Sequence, residues 1–235
     1  MTPLLKGVER IQISSAVANH APDAGQTPSR RPQAVRSAQT KAKLIAAAIF
    51  CLHRLGYSAT TVIKVAQEAQ VSRGAMTHQF PTKVDLMLAV VQHVFEDEVE
   101  QYKRLLSAAG TSRERLFSFP RIMWEVLRRP DSMAVTEIMM ASRSDPALAD
   151  GLKPTQRAIE RAAGEGVKMI LREAGFELRP DGPAIQRLFV AAMRGLAIDS
   201  LFAGTSKEIH ASVDALVMIL HLLYPTPVEM KGSNE

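Results

Sequence analysis

The 235-residue sequence predicts an all-α protein of about nine helices, a three-helix N-terminal domain followed by a larger helical one. Three observations carry this. Apolar residues recur at helical spacing from Arg36 onward, no segment alternates as a strand does, and prolines and glycines fall where one helical pattern stops and the next begins. With 46% hydrophobic and only 5% aromatic residues, the chain can bury a core that is mostly aliphatic.

The elements follow in order. Residues 1–35 carry Pro3, Pro22, Pro28 and Pro32 with little periodicity and are expected to be disordered, apart from a transient helix over Leu4 to Val17. From Arg36, the residues Leu44, Ala48, Cys51, Leu52 and Leu55 share one helical face, and Gly56 ends that helix as a C-cap. Val62, Val65, Ala66 and Ala69 then make the stripe of a two-turn helix that Thr60 or Thr61 can cap. Val71 is an apolar plug, and Ser72 caps a second short helix running from about Arg73 to Gln79. Its inward side offers only Met76, with Phe80 just beyond, which leaves Arg73, Gly74, Ala75, Thr77, His78 and Gln79 facing outward. Pro81 stops it, and Thr82 caps a long helix to about Ala108 with Lys83 in its first turn.

Further helices are expected at about 112–128, 132–143, 147–174, 183–203 and 206–223. Pro130 and Pro146 mark two of the starts, Pro154 is expected to split the longest, and a linker spans 175–183. The expected organisation is therefore a helix-turn-helix domain over 36–83, a helical domain over 84–225 and a flexible tail over 226–235.

A helix as poor in apolar residues as Arg73–Gln79 needs a second surface to meet, and charge says which kind. Residues 1–85 hold 11 Lys or Arg against 4 Asp or Glu, whereas residues 86–235 hold 18 against 20. A basic end on a nearly neutral body is the electrostatic footprint of a module that binds phosphates. The alternative is an all-α ligand-binding or protein-interaction module whose helix pair does not bind DNA.

Gly56-Tyr57, Thr60-Thr61-Val62, Ala66, Ala69, Val71-Ser72-x-Gly74, Phe80-Pro81-x-Lys83 and Leu86 together resemble the DNA-binding region of the TetR/AcrR family of bacterial transcriptional regulators. The resemblance covers roughly residues 38–90 and implies a homeodomain-like three-helix domain. This chain has Thr77 where the family often has an aromatic residue, Gln79 where it often has histidine, and Gln70 in place of a common glycine. Arg73 suits a base contact, since a guanidinium donates to a guanine edge at two points. Thr60, Thr61, Thr77, His78, Gln79 and Lys83 suit phosphate and positioning contacts, Gly74 lies on the same outward surface, and Ala75 suits a thymine methyl. Arg36, Lys41 and Lys43 read either as a solubilising stretch or as added phosphate and minor-groove contacts.

The last two helices carry apolar stripes, Leu188, Ala191, Ala192, Gly195, Leu196 and Leu201-Phe202 on one and Val213, Leu216, Val217, Leu220, Leu223 and Tyr224 on the other. Either they close the monomer core or, as the resemblance implies, helices 183–203 and 206–223 form a homodimer interface that lets a repressor read a palindromic DNA operator. The resemblance also implies a small-molecule ligand that shifts the dimer out of its DNA-competent geometry. Phe117, Met123, Trp124, Met139, Met140, Met169, Phe189 and Met193 are the candidate apolar lining, with Arg143 as a polar group; a methionine-rich core is the competing reading.

No catalytic motif is present: no P-loop, Gly-x-Ser-x-Gly, His-Glu-x-x-His or dinucleotide fingerprint, so an enzyme is not expected, nor a cofactor. The six histidines are dispersed and only Cys51 could join them, so no metal site is expected. Cys51 reads as a buried thiol or, alternatively, a redox sensor. Glu96, Asp97, Glu98 and Glu100 read as a solvated acidic face. The longest apolar run, Leu44 to Leu52, is nine residues, too short for a bilayer, and the N-terminus lacks the order of a secretory signal; a cytoplasmic protein is expected.

Overall fold

A computed structural model describes residues 30–202 and 206–225, and among these it contains nine α-helices and no strand. They are α1 (Arg30–Ala59), α2 (Val62–Glu68), α3 (Arg73–Gln79), α4 (Lys83–Ala108), α5 (Ser112–Leu127), α6 (Pro130–Ala141), α7 (Pro146–Glu173), α8 (Gly182–Asp199) and α9 (Ser206–Leu223). The segment Leu4 to Val17 and the tail 226–235 lie outside the described residues. Residues 30–35, expected to be disordered, instead form the first turns of α1. Pro154 does not split α7, which runs unbroken through it. Pro154 stands in the third turn, where its missing N–H removes one i→i−4 bond, and the helix continues past it.

Two compact units form, one from residues 30–94 with Ala134–Ala158, the other from Phe95–Met133 with the described residues from Ile159 on. Helices α4, α6 and α7 each contribute to both, whereas the sequence division was drawn at 83/84.

In the first unit α1, α2 and α3 pack on one another. Leu44, Ala48, Cys51 and Leu52 of α1 are buried as the periodicity requires, joined by Ile45 and Ala47, but Leu55 is exposed because the chain turns away one residue later. Gly56 makes that turn with φ 71°, a left-handed value that a side chain would resist. Val65, Ala66, Met76, Phe80, Leu86, Met87 and Val90 complete the core with Ala134, Ile138, Leu148 and Leu152 from α6 and α7.

The turn between α2 and α3 shows what the missing glycine costs. Gln70 adopts φ 53° so that Val71 N–H can reach the Ala66 carbonyl at 2.9 Å, closing the end of α2 with an i→i−5 bond.

In the second unit α5, α8 and α9 pack together, and α4 supplies Tyr102, Leu105 and Leu106. Thr111 opens α5 with a reciprocal capping box: its N–H donates to Glu114 Oε2 at 2.6 Å, and the Glu114 N–H donates to its hydroxyl. Aromatic packing dominates one side of the unit. Phe117 stacks on His221 with ring centroids 3.8 Å apart, and Phe176 meets both Phe117 and Tyr224 edge-on.

Gln70→Gly is expected to raise unfolding free energy by about 1 kcal/mol, since it removes the left-handed penalty of a residue with a Cβ. Urea denaturation checks it, and a loss of stability would show that the Gln70 side chain contributes more than the strain costs.

Candidate functional site

The helix-turn-helix is built from two caps and two anchors. Thr61, extended at φ −115°, accepts from Lys64 N–H at 3.2 Å and starts α2; Ser72, extended at φ −64°, accepts from Ala75 N–H at 3.2 Å and starts α3. Met76 and Phe80 are buried and fix the rotation of α3 about its axis. That rotation turns Arg73, Gly74, Thr77 and His78 to solvent and leaves Ala75 and Gln79 half-buried. A Cβ added at Gly74 would meet nothing within 4 Å, so the helix surface there is open to a close backbone approach. No protein group among the described residues engages the Arg73 guanidinium. Thr77 spends its hydroxyl on the Arg73 carbonyl at 3.0 Å, so its outward surface is its methyl.

Several residues expected to contact DNA have other roles. Thr60 is wholly buried, donating its hydroxyl to the Gly56 carbonyl at 2.8 Å, so it holds the turn and leaves the capping to Thr61. Gln79 donates to Ser37 Oγ at 2.8 Å and so braces α3 against α1. Lys83 Nζ donates to the Tyr57 carbonyl at 2.6 Å and sits 3.8 Å from the centroid of the Tyr57 ring. Burial pulls its pKa down, while the Asp145 carboxylate works the other way. Lys83 is thus a structural tie whose remaining N–H donors are open. Arg36, Lys41 and Lys43 are exposed along α1. Cys51 is buried, and burial raises its thiol pKa, which opposes the thiolate a redox sensor needs.

A family model described as bacterial regulatory proteins, tetR family, matches residues 44–90, the stretch that spans these elements. The chain is 33% identical over 179 residues to the HTH-type transcriptional regulator CymR of Pseudomonas putida, covering 75% of this chain and 86% of that protein. The chain belongs to the TetR family. It is a DNA-binding transcriptional regulator, built like the relatives it matches. Solved structures agree on the fold: a transcriptional regulator from Rhodococcus sp. Rha1 superposes with a TM-score of 0.63 at 19% identity, covering 77% of this chain and 96% of the other. LfrR from Mycobacterium smegmatis, solved in complex with proflavine, superposes at 0.55 with 20% identity over 79% and 96% of the two chains.

The candidate ligand residues of this TetR-family chain do not form one set. Met139, Met140 and Arg143 belong to the compact unit that carries the helix-turn-helix, and Met140 and Arg143 are exposed there. The other six fall in the second unit and divide between two neighbouring clusters. Phe117, Met169 and Phe189 pack with Leu106, Ile170 and Tyr224, whereas Met123, Trp124 and Met193 pack with Ala197, Ile209 and Val213. Tyr102, Phe119 and Leu216 touch both clusters. Trp124 Nε1 is buried with no hydrogen-bond partner among the described residues.

Glu98, which the sequence suggests belongs to a solvated acidic face, turns toward this unit instead. Glu98 lies on the inward stripe of α4, one turn after buried Val94 and one turn before Tyr102. Ser132, buried, donates to Glu98 Oε1 at 2.7 Å. Burial raises the Glu98 pKa to about 6, against the pull of the Ser132 bond and the positive charges of Arg194 and Arg129; burial likewise raises the Tyr102 hydroxyl. The run of acidic residues around it hid this, and only helical register from Val94 could have found it. Among the described residues no group of His, Cys, Asp and Glu is disposed to hold a metal, and no helix is long and apolar enough to cross a membrane.

Because the folded-state pKa of Glu98 lies above its ordinary 4.5, its contribution to stability is full below about pH 4.5 and is lost as pH rises through about 6. Glu98→Gln is therefore expected to flatten the decline of urea-measured stability across that window and to gain about 2 kcal/mol relative to wild type at pH 7.5. A variant with the same slope as wild type would show that the carboxylate is not desolvated.

Proposed function

We propose that this regulator is a repressor that reads a palindromic operator as a homodimer and leaves it when a small apolar molecule binds the helical domain. The observation that carries the DNA reading is the outward face of α3, where Arg73, Gly74, Thr77 and His78 stand exposed on a helix whose other side is anchored by Met76. Arg73 reads a base edge; Thr61, Thr77, His78, Gln79 and Lys83 position the module, with Arg36, Lys41 and Lys43 adding charge. Thr60 drops out of this set because it is buried. Functionally the chain divides near residue 84, with α4 as the connecting lever. The reading implies a cytoplasmic protein that is found with the chromosome when bound, and no enzymatic activity.

The dimer surface is supported by apolar residues left outside the core. On α8 and the turn after it, Leu188 is 70% exposed and Phe202 83%, in line with Ala191, Gly195 and Ile198; on α9, Leu222 is 81% exposed, in line with Ala211 and Met218. Of the α9 stripe read from the sequence, Val213, Val217, Leu220 and Tyr224 are buried in the chain's own core, the first of the two readings given for it, so the proposed surface on α9 is the other face. Burying each large apolar side chain is worth roughly 1.5–3 kcal/mol, enough in sum to offset the entropy of association. The ligand reading rests on the clusters around Tyr102, Phe119 and Leu216 and on the free Trp124 donor.

Selection of bound sequences from a random duplex pool is expected to return an inverted repeat whose half-sites face one side of the duplex. Arg73→Ala should cost about 1–3 kcal/mol at one base position and relax preference there, whereas Lys83→Ala should weaken all duplexes alike and lower the salt slope by about one unit. Equal losses on every sequence for both variants would defeat this division of roles.

Leu188→Glu combined with Leu222→Glu is expected to yield a folded monomer in sedimentation, with binding to the full inverted repeat reduced at least tenfold. A variant that stays dimeric would place the interface elsewhere.

A further inference from the structure

Tyr57 is held at three atoms by three segments of the chain, all within one compact unit. Its hydroxyl donates to Asp145 Oδ2 at 3.1 Å, in the turn between α6 and α7. Its backbone N–H donates to Glu137 Oε2 of α6 at 3.3 Å. Its carbonyl accepts from Lys83 Nζ at the start of α4, and the same ammonium lies over its ring. The Tyr57 carbonyl also accepts from Thr60 N–H at 3.2 Å, one residue before the cap of α2. One residue therefore joins the entry to the helix-turn-helix, the base of α4 and the α6–α7 turn, its backbone holding the first two and its side chain reaching the last and the Lys83 ammonium.

The joint has little slack. Asp145 is fixed by its second oxygen, which accepts the Leu148 N–H at 3.0 Å and opens α7. That bond, followed by the Tyr57 hydroxyl, holds the Asp145 carboxyl below its usual range, while burial and the bond to Asp145 push the Tyr57 hydroxyl up to about 12. Two turns into α7, a Cβ on Gly151 would come within 2.9 Å of Leu88 Cδ1, so α7 passes closely over α4. Helices α6 and α7 both run on into the other compact unit.

From these contacts we infer that Tyr57 and Asp145 form a latch that positions the DNA-reading face: the α6–α7 turn holds the tyrosine, and the tyrosine holds Lys83 and the start of α2. Asp145, 88 residues from Tyr57 and far along the chain from α3, is then a positioning residue for duplex affinity. A movement of the α6–α7 turn is transmitted to Lys83 through one phenol ring. The inference rests on the reading of this chain as a duplex-binding regulator and adds the residues through which its helical domain acts on α2 and α3.

The test uses the full chain and the operator recovered by selection. Tyr57→Phe removes only the hydroxyl, leaving the ring beneath Lys83 and the Asp145 cap of α7 intact. It is expected to weaken operator binding on the order of fivefold, with the salt slope unchanged because no phosphate contact is lost. Asp145→Ala should lose at least as much, and the double variant should lose no more than Asp145→Ala alone. Val90→Ala, a core truncation in the same unit, should lower the melting temperature and leave affinity at 25 °C unchanged. Amide hydrogen exchange, which needs neither DNA nor a dimer, should quicken over residues 57–68 in Tyr57→Phe and not along the first turns of α1. Full affinity and unchanged exchange in Tyr57→Phe would overturn the latch, as would additive losses in the double variant or an equal loss of affinity in Val90→Ala. A wild-type protein that selects no duplex, with the exchange pattern as expected, would instead overturn the operator reading and leave the latch standing.

Discussion

The structure turns on a helix that cannot exist alone. At seven residues α3 is far shorter than the length at which a helix holds in water, so its form is imposed by the burial of Met76 and Phe80 and by the Ser72 cap. The outward face of α3 follows from that imposed rotation. With Met76 inward, Gly74 and His78 lie on the far side of α3 and Thr77 beside them, and Arg73, in the open first turn, is exposed as well. The left-handed Gln70 belongs to the same constraint: the turn must close in few residues for Val71 to bond back to Ala66.

Charge is then placed by structure more sparingly than composition suggests. The basic N-terminal part supplies many cations, yet they differ in freedom. Arg73 is unengaged among the described residues, whereas Lys83 is already bound to a carbonyl and to an aromatic face. Such a tie restrains a flexible chain before any phosphate arrives, which lowers the entropy lost on binding. It also makes the position of the cation depend on Tyr57, and Tyr57 on Asp145. In the proposed latch, affinity for DNA thereby depends on the α6–α7 turn as well as on α3.

The second unit is organised by aromatic and methionine side chains around Tyr102, Phe119 and Leu216, with one carboxylate turned into the protein. A half-buried, desolvated Glu98 costs free energy at neutral pH, and the Ser132 bond with the nearby arginines offsets only part of it. An unpartnered Trp124 N–H adds a second unmet demand in the same unit. Outside, the stripe from Leu188 to Phe202 and its neighbour on α9 remain without a partner among the described residues. The unit is thus polar where a core is ordinarily dry and apolar where a surface is ordinarily wet.

The sequence by itself determined what depends on near neighbours. Pro130 and Pro146 start α6 and α7, Gly56 ends the regular part of α1, and Thr61 and Ser72 bracket the helix-turn-helix, because caps and breakers act within a turn of the chain. The spacing of small and apolar residues made the outward face of α3 legible on the same footing. Tertiary structure alone decided which of two adjacent threonines is buried, which of two stripes on α9 faces out, that Glu98 turns inward, and that Lys83 is tied to Tyr57. Periodicity fixes a stripe only up to a rotation about the helix axis. The partner that selects the rotation, as Asp145 does for Tyr57, lies many turns away along the chain, and packing alone brings it near.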